Sequence, residues 1–248
     1  MNTGTPCLSV IVPVKNEEEN VAALAQEITD ALAPSGVSWE CVWVNDGSTD
    51  GTLGALKGVA ARMPPHRIID LDGNYGQSAA LCIGFSRARG EVFATLDGDG
   101  QNDPAEIPRL LERLRQGDVA MVNGVRAKRR DSWVRKLSSR IANRVRNAVL
   151  HDHVSDTGCA LRVFSRACVE NIIMFKGTHR FLPALAVMRG FAITELPVNH
   201  RPRTRGVTKY GVGNRLWVGI ADLYAVCWMR RRLVYPAVRA EYPDGARQ

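Results

Sequence analysis

Strand-forming and helix-patterned stretches alternate over the first 125 residues, and this rhythm restricts the possible folds more than any other feature. Cys7–Val14 is a continuous apolar run of strand length, and Glu17–Leu32 places Val21, Leu24, Ile28 and Leu32 at helical spacing. Trp39–Asn45 is a second strand that stops at Asp46-Gly47-Ser48, after which Thr49 or Asp50 caps a helix running toward Arg62. Arg67–Leu71, Glu91–Leu96 and Val119–Asn123 read as further strands, with helices predicted at Gln77–Ala88 and Pro104–Gln116. This order calls for an α/β fold with a mostly parallel central sheet and helices on both faces. The strands near 8–14, 39–45 and 92–96 all end in polar clusters, which such a sheet gathers on one rim.

One of those ends is chemically pointed. Val92-Phe93-Ala94-Thr95-Leu96 runs directly into Asp97-Gly98-Asp99-Gly100-Gln101-Asn102-Asp103-Pro104. Ligands collect at the carboxyl ends of parallel strands. Two carboxylates separated by one glycine can share a divalent cation, and such a cation can hold a diphosphate. Asp103 reads instead as the cap of the helix that follows.

Beyond Gly124 the rhythm breaks. A helix-like segment spans Ser132 to about Leu150, His151–Ala160 is a polar loop, and Leu161–Phe164 and Ala192–Val198 are predicted strands. Val169–Met174 and Phe181–Met188 are predicted helices, and Leu216–Met229 is an apolar helical stretch closed by Arg230-Arg231-Arg232. Charge divides at the same place: residues 1–125 carry a net −8 and residues 126–248 a net +16. A basic half suits a phosphorylated substrate, an anionic lipid or nucleic acid. The chain thus divides into an acidic, metal-using half (1–125), a basic, phosphate- or membrane-facing half of the same domain (126–210) and a C-terminal amphipathic segment and tail (211–248). The six cysteines are scattered without C-x-x-C or zinc spacing, as expected of buried free thiols in a reducing compartment. The N-terminus has no signal-sequence pattern and no apolar run reaches the roughly 20 residues that span a bilayer. A cytoplasmic protein, peripheral on the cytoplasmic face of the inner membrane, is the expectation.

Three ordered motifs, Ser9-Val10-Ile11-Val12-Pro13-Val14-Lys15-Asn16-Glu17-Glu18, Val44-Asn45-Asp46-Gly47-Ser48-Thr49-Asp50-Gly51-Thr52 and Asp97-Gly98-Asp99, resemble family 2 glycosyltransferases of the GT-A fold. Within that family, Asn74-Tyr75-Gly76-Gln77-Ser78-Ala79, Asp156-Thr157-Gly158-Cys159-Ala160-Leu161-Arg162 and Arg205-Gly206-Val207-Thr208-Lys209-Tyr210 are similar to polyprenyl-phosphate glycosyltransferases, among them dolichyl-phosphate mannose synthases and undecaprenyl-phosphate formamido-arabinose transferases. The likeness runs over roughly residues 7 to 228. It implies that Pro13, Glu17 and Asp46 meet the base and ribose of a UDP- or GDP-sugar, with UDP preferred. It also implies that Asp97, Asp99 and Gln101 form a Mg²⁺- or Mn²⁺-diphosphate element. Arg126, Arg135 and Ser139 then correspond to the grip on a polyprenyl (undecaprenyl or dolichyl) phosphate. Arg205 and Lys209 flank a loop similar to one that closes over the diphosphate. His151, His153 and His200 show no ligand spacing.

A phosphate acceptor needs no dedicated base, because its second pKa lies near about 6. Alignment and charge stabilisation of the departing nucleoside diphosphate suffice, and direct displacement inverts the anomeric centre. A sugar or protein hydroxyl acceptor would need a carboxylate base, for which Asp156 is the strongest candidate in a back half poor in acids. A non-enzymatic basic binding module would leave Asp46, Asp97 and Asp99 idle, and no nucleic-acid motif is visible, so no nucleic-acid partner is expected. A nucleotidyltransferase is disfavoured because Pro13-Val14-Lys15-Asn16 stands where a glycine- and arginine-rich phosphate loop would be needed. Many relatives continue into two transmembrane helices. Residues 216–229 instead form an apolar stretch interrupted by Asp222, read either as a helix packed on the domain or as an interfacial helix with Trp217, Tyr224 and Trp228 at the headgroups. A separate membrane subunit is the further partner that anchorless relatives suggest.

Overall fold

The computed structural model describes residues 7–127, 146–147, 149–150, 154–202 and 215–234. Seven strands form one sheet: β1 Leu8–Val14, β2 Trp39–Asn45, β3 His66–Asp70, β4 Val92–Thr95, β5 Met121–Arg126, β6 Arg162–Ser165 and β7 Ile193–Val198. Their order is β3-β2-β1-β4-β6-β5-β7. Only β6 runs against its neighbours, and the other pairings are parallel. The helices are α1 Glu18–Leu32, α2 Thr52–Arg62, α3 Gln77–Arg87, α4 Ile107–Arg115, α5 Leu182–Met188 and α6 Arg215–Arg232.

Every residue of β1 is buried, as expected for a central strand covered on both faces. Alternation along it feeds two separate cores. Val10, Val12 and Val14 pack with Val21, Leu24 and Ile28 of α1, Leu56 of α2 and Leu110 of α4. Ile11 faces the opposite side with Leu81 and Phe85 of α3 and Leu182 of α5. The rings of Phe85, Phe93 and Phe164 meet there at centroid separations of 5.6–6.0 Å. A smaller cluster joins α6 to this second side through Val226 and Met229 against Phe181 and Leu185.

Most predicted elements of the first 125 residues appear with shifts of one or two residues at their ends; the helix expected at Pro104–Gln116 opens with a 3₁₀ turn, Pro104–Glu106, before α4, and the strand expected at Val119–Asn123 lies at Met121–Arg126. Asp50 accepts hydrogen bonds from the Thr52 amide at 3.0 Å and the Thr52 hydroxyl at 2.5 Å, ahead of α2. The helix expected at Val169–Met174 is absent. A single 3₁₀ turn, Arg166–Cys168, stands just before it, and Asn171 takes φ 57°. A left-handed residue cannot continue a right-handed helix. The helix expected from Ser132 to Leu150 falls largely outside the described residues.

Close helix–sheet packing on the α3 side depends on Gly84. A Cβ built there would lie 2.5 Å from Ile11 Cγ2. Gly84→Ala is expected to destabilise the protein by about 1–3 kcal/mol through overpacking. Gly54→Ala in α2, where nothing lies within 4 Å, should instead stabilise it by about 0.5–1 kcal/mol through helix propensity. Opposite shifts of the urea midpoint would confirm the contrast, and equal shifts would refute it.

Candidate active site

The strand order reverses at β1, which sits between β2 and β4, and the crevice beyond such strand ends is where α/β proteins bind ligands. A cavity of about 800 Å³ opens there, lined among others by Pro13, Lys15, Glu17, Asp46, Gln77, Asp97, Asp99, Gln101, Arg162, Lys176, His179 and Arg180.

The loops after β1 and β2 are joined first. Asn16 adopts φ 49°, and its side-chain oxygen accepts from the Thr49 amide at 2.8 Å. Thr52 Oγ1 accepts from the Glu17 amide at 2.8 Å. Glu17 is buried, with its carboxylate accepting from Asn20 Nδ2 at 2.7 Å. Asp46 is also buried, and its two carboxylate oxygens accept from the amides of Tyr75 (2.7 Å) and Gly76 (2.9 Å). The loop after β3 is thereby held against the end of β2. Gly47, at φ +60°, allows this approach, since a Cβ there would lie 2.5 Å from the Gly73 carbonyl carbon.

The next residue after that loop reaches the carboxylate pair. Gln77, at the start of α3, donates from Nε2 to Asp97 Oδ1 at 2.7 Å. Asn102 Oδ1 accepts from the Asp97 amide at 3.1 Å, and Asp99 Oδ1 accepts from the Gln101 amide at 3.1 Å. Gln101 Nε2 donates to the Arg201 carbonyl at 3.3 Å. Gly98 packs on the end of β1, where a Cβ would lie 2.5 Å from Val14 Cγ1. Burial pushes Asp97 up to about 7, and the Asp99 charge adds to the shift, while Arg162, Gln77 and Arg126 oppose it. A divalent cation would relieve this stress on two adjoining carboxylates. Among the described residues, no group of three or more His, Cys, Asp or Glu side chains could hold a metal alone. Two carboxylates and an amide fit a cation that completes its shell with water and substrate phosphate, as Mg²⁺ does.

Asp103 behaves as the expected cap: Oδ1 accepts from the Ala105 amide at 3.1 Å and the carboxylate pairs with Arg201 at 2.7 Å. Arg126 and Asp156 form a bidentate pair, Nε–Oδ2 at 2.7 Å and Nη2–Oδ1 at 2.8 Å. The candidate hydroxyl-activating carboxylate and the candidate phosphate-gripping cation therefore hold each other, so substitution of either disturbs both. Arg135, Ser139, Arg205, Lys209, His151 and His153 lie outside the described residues. His200 forms a β-bridge with Asn102, behind the carboxylate turn.

Sequence reasoning passed over Gln77, Arg162, Lys176, His179 and Arg180. The first two stand in motifs that were visible, but nothing local marked their contacts. Arg162 is buried and donates to Asn123 Oδ1 (2.7 Å) and the carbonyls of His179 (2.9 Å) and Thr157 (3.0 Å). His179 Nδ1 lies 2.8 Å from Ser78 Oγ. Burial drives its pKa down to about 3, helped by Arg180 and Arg162, which leaves a neutral ring and a weak base at pH 7.

The family model for glycosyl transferase family 2 matches residues 9–173. The chain is 36% identical over 237 residues to dodecaprenyl-phosphate galacturonate synthase of Rhizobium johnstonii, covering 92% of this chain and 69% of the relative. It is 37% identical over 212 residues to undecaprenyl-phosphate 4-deoxy-4-formamido-L-arabinose transferase of Aeromonas hydrophila, covering 85% and 65%. The chain thus spans about two thirds of the length of these curated relatives. Among solved structures, glucosyl-3-phosphoglycerate synthase from Mycobacterium tuberculosis, in complex with Mn²⁺, uridine diphosphate and phosphoglyceric acid, superposes with a TM-score of 0.66 at 17% identity, over 93% of this chain and 80% of that one. A mannosyltransferase from Pyrobaculum calidifontis with GDP-mannose and Mn²⁺ gives 0.61 at 21% identity, over 94% and 67%. The fold is GT-A, a mostly parallel seven-stranded sheet with a single antiparallel strand. By the family model, the sequence relatives and the sheet alike, this chain belongs to glycosyl transferase family 2 and is a glycosyltransferase.

Proposed function

We propose that the protein transfers a sugar from a nucleoside-diphosphate sugar, a uridine one by preference, to a polyprenyl phosphate with inversion. The observation that carries this reading is the state of the site's carboxylates. Of the described residues lining the cavity, four carry carboxylates: Glu17, Asp46, Asp97 and Asp99. Glu17 and Asp46 are engaged by Asn20 and by two loop amides, and Asp156 outside them is paired with Arg126. With Asp97 and Asp99 given to the cation, none of these described carboxylates is left to deprotonate a hydroxyl. A phosphate acceptor removes the need, because it arrives as an anion.

In this reading Pro13, Glu17 and Asp46 shape the nucleotide end. Asp97, Asp99 and Gln101 would hold a Mg²⁺ or Mn²⁺ ion, which when bound supplies electrostatic stabilisation to the departing diphosphate. Gln77 keeps one Asp97 oxygen oriented, and Asn102 fixes the turn from behind. The two relatives named above act, by name, on polyprenyl phosphates, and the Mycobacterium and Pyrobaculum structures hold Mn²⁺ with a nucleotide. Arg126, Arg135, Ser139, Arg205 and Lys209 are assigned to the acceptor phosphate and the closing loop.

Access to a lipid acceptor would be by peripheral contact on the cytoplasmic face of a membrane. Among the described residues no helix is long and apolar enough to cross one. Yet the face of α6 turned away from Val226 and Met229 exposes Ile220 (50%), Tyr224 (73%) and Trp228 (54%), with Arg230, Arg231 and Arg232 at its end. Aromatic residues over arginines suit a headgroup layer, and a separate membrane subunit would cover the same face. The test is incubation with vesicles carrying undecaprenyl phosphate, Mg²⁺ or Mn²⁺, and a panel of radiolabelled nucleotide sugars. Label from one sugar is expected in the lipid extract. Label confined to a saccharide or protein would overturn the phosphate-acceptor reading.

A further inference from the structure

Cations are abundant around the cavity, but most are already committed to protein partners. Arg162 donates to three protein acceptors. Arg126 is locked on Asp156, and Arg201 on Glu27 and Asp103. Lys176 and Arg180 differ. Both line the cavity, both are exposed, and their side chains make no hydrogen bond or ion pair among the described residues.

Their backbone is nevertheless fixed. Ser78 Oγ accepts from the amides of Gly177 (3.1 Å) and His179 (3.4 Å). Thr178 Oγ1 accepts from the Phe175 amide and donates to the Phe175 carbonyl, both at 2.7 Å. Arg162 holds the His179 carbonyl from inside. Behind the turn, Asp222 of α6 packs on Gly177, where a Cβ would lie 2.5 Å from Asp222 Oδ2. That buried oxygen has no hydrogen-bond partner, so Asp222 attracts Arg180 only at a distance. The two cations are mounted on a rigid turn with their charged ends available.

Ser78 directly follows Gln77, which holds Asp97. One turn of α3 therefore sets both the carboxylate pair and the cationic turn, and with them the spacing across the cavity. On the carboxylate side belongs the cation-bound diphosphate. The turn presents one amine and one guanidinium that form no ion pair among the described residues, which suits a phosphate monoester with two negative charges.

We infer that Lys176 and Arg180 form the subsite that receives the acceptor's phosphate monoester. This rests on the proposed phosphate acceptor and adds two cations to the grip assigned above to Arg126, Arg135 and Ser139. The experiment measures direct binding, so that it does not depend on turnover. Titration calorimetry with farnesyl phosphate, with farnesol as the uncharged control, is run on the wild type, Lys176→Ala, Arg180→Ala, Arg180→Lys and the double alanine variant. Uridine diphosphate with Mn²⁺ is titrated in parallel.

Each single alanine variant is expected to weaken farnesyl phosphate about tenfold and the pair about a hundredfold, as for lost charge-assisted hydrogen bonds. Arg180→Lys should recover part of the loss, and uridine diphosphate affinity should stay within about twofold. Three results would overturn the inference. Farnesyl phosphate affinity could be unchanged in the double variant, or no better than farnesol in the wild type. Uridine diphosphate could instead be the ligand weakened, which would give the two cations to the donor. A wild type that binds farnesyl phosphate here but moves no sugar to lipid would fail the functional proposal alone, leaving the subsite standing.

Discussion

Asp99→Ala is expected to lower sugar transfer about a thousandfold, equivalent to ~4 kcal/mol of transition-state stabilisation. Asp99 sits one glycine from Asp97 on a turn packed against β1, and burial together with the Asp99 charge pushes Asp97 up to about 7. Removing Asp99 relieves that repulsion, so the fold should be unharmed or slightly firmer. The loss would come from the cation: one carboxylate and an amide hold Mg²⁺ or Mn²⁺ far less well than two carboxylates. Mn²⁺ titration in the presence of uridine diphosphate should therefore show weakened binding alongside the lost turnover. Asp103→Asn is the matched control, because Asn caps a helix as well as Asp does and Asp103 points to Arg201 and the Ala105 amide. Equal loss in both variants would mean that the whole turn, rather than the carboxylate pair, carries the effect.

What could be read from the sequence was what neighbouring residues determine. The strands from Leu8 to Asn123 announce themselves as apolar runs, and the Asp97-Gly98-Asp99 turn follows β4 without interruption, so its place on the rim required only the parallel order of the sheet. The cap role of Asp103 was legible for the same reason. Contacts made across the chain were not. Arg126 and Asp156 are thirty positions apart and meet because antiparallel β6 returns beside β5. Had that return been visible, Asp156 would not have stood as a free base. The turn at Lys176–Arg180 escaped notice because its link to the site runs through Ser78, about a hundred residues away. Asn171 defeated the expected helix at Val169–Met174 by taking a left-handed conformation that apolar periodicity does not reveal.

Arg162→Ala should have the largest effect on stability, about 3–5 kcal/mol, read as a fall in melting temperature of roughly 10 °C. Arg162 is 3% exposed and its guanidinium serves Asn123 Oδ1, the His179 carbonyl and the Thr157 carbonyl. Truncation leaves all three acceptors buried without this donor, and it opens a cavity between β5, β6 and the turn at Thr178. It also removes a cation that restrains the upward shift of Asp97. Arg162→Lys keeps the charge but cannot reproduce a planar fork reaching three directions, so it should fall between the wild type and the alanine variant. Since the His179 carbonyl is one of the three acceptors, loss of Arg162 also loosens the turn that carries Lys176 and Arg180. Farnesyl phosphate binding should then weaken in Arg162→Lys even at temperatures where that variant remains folded. A melting temperature unchanged in Arg162→Ala would show that the three acceptors find water instead, and that Arg162 acts on the site by charge alone.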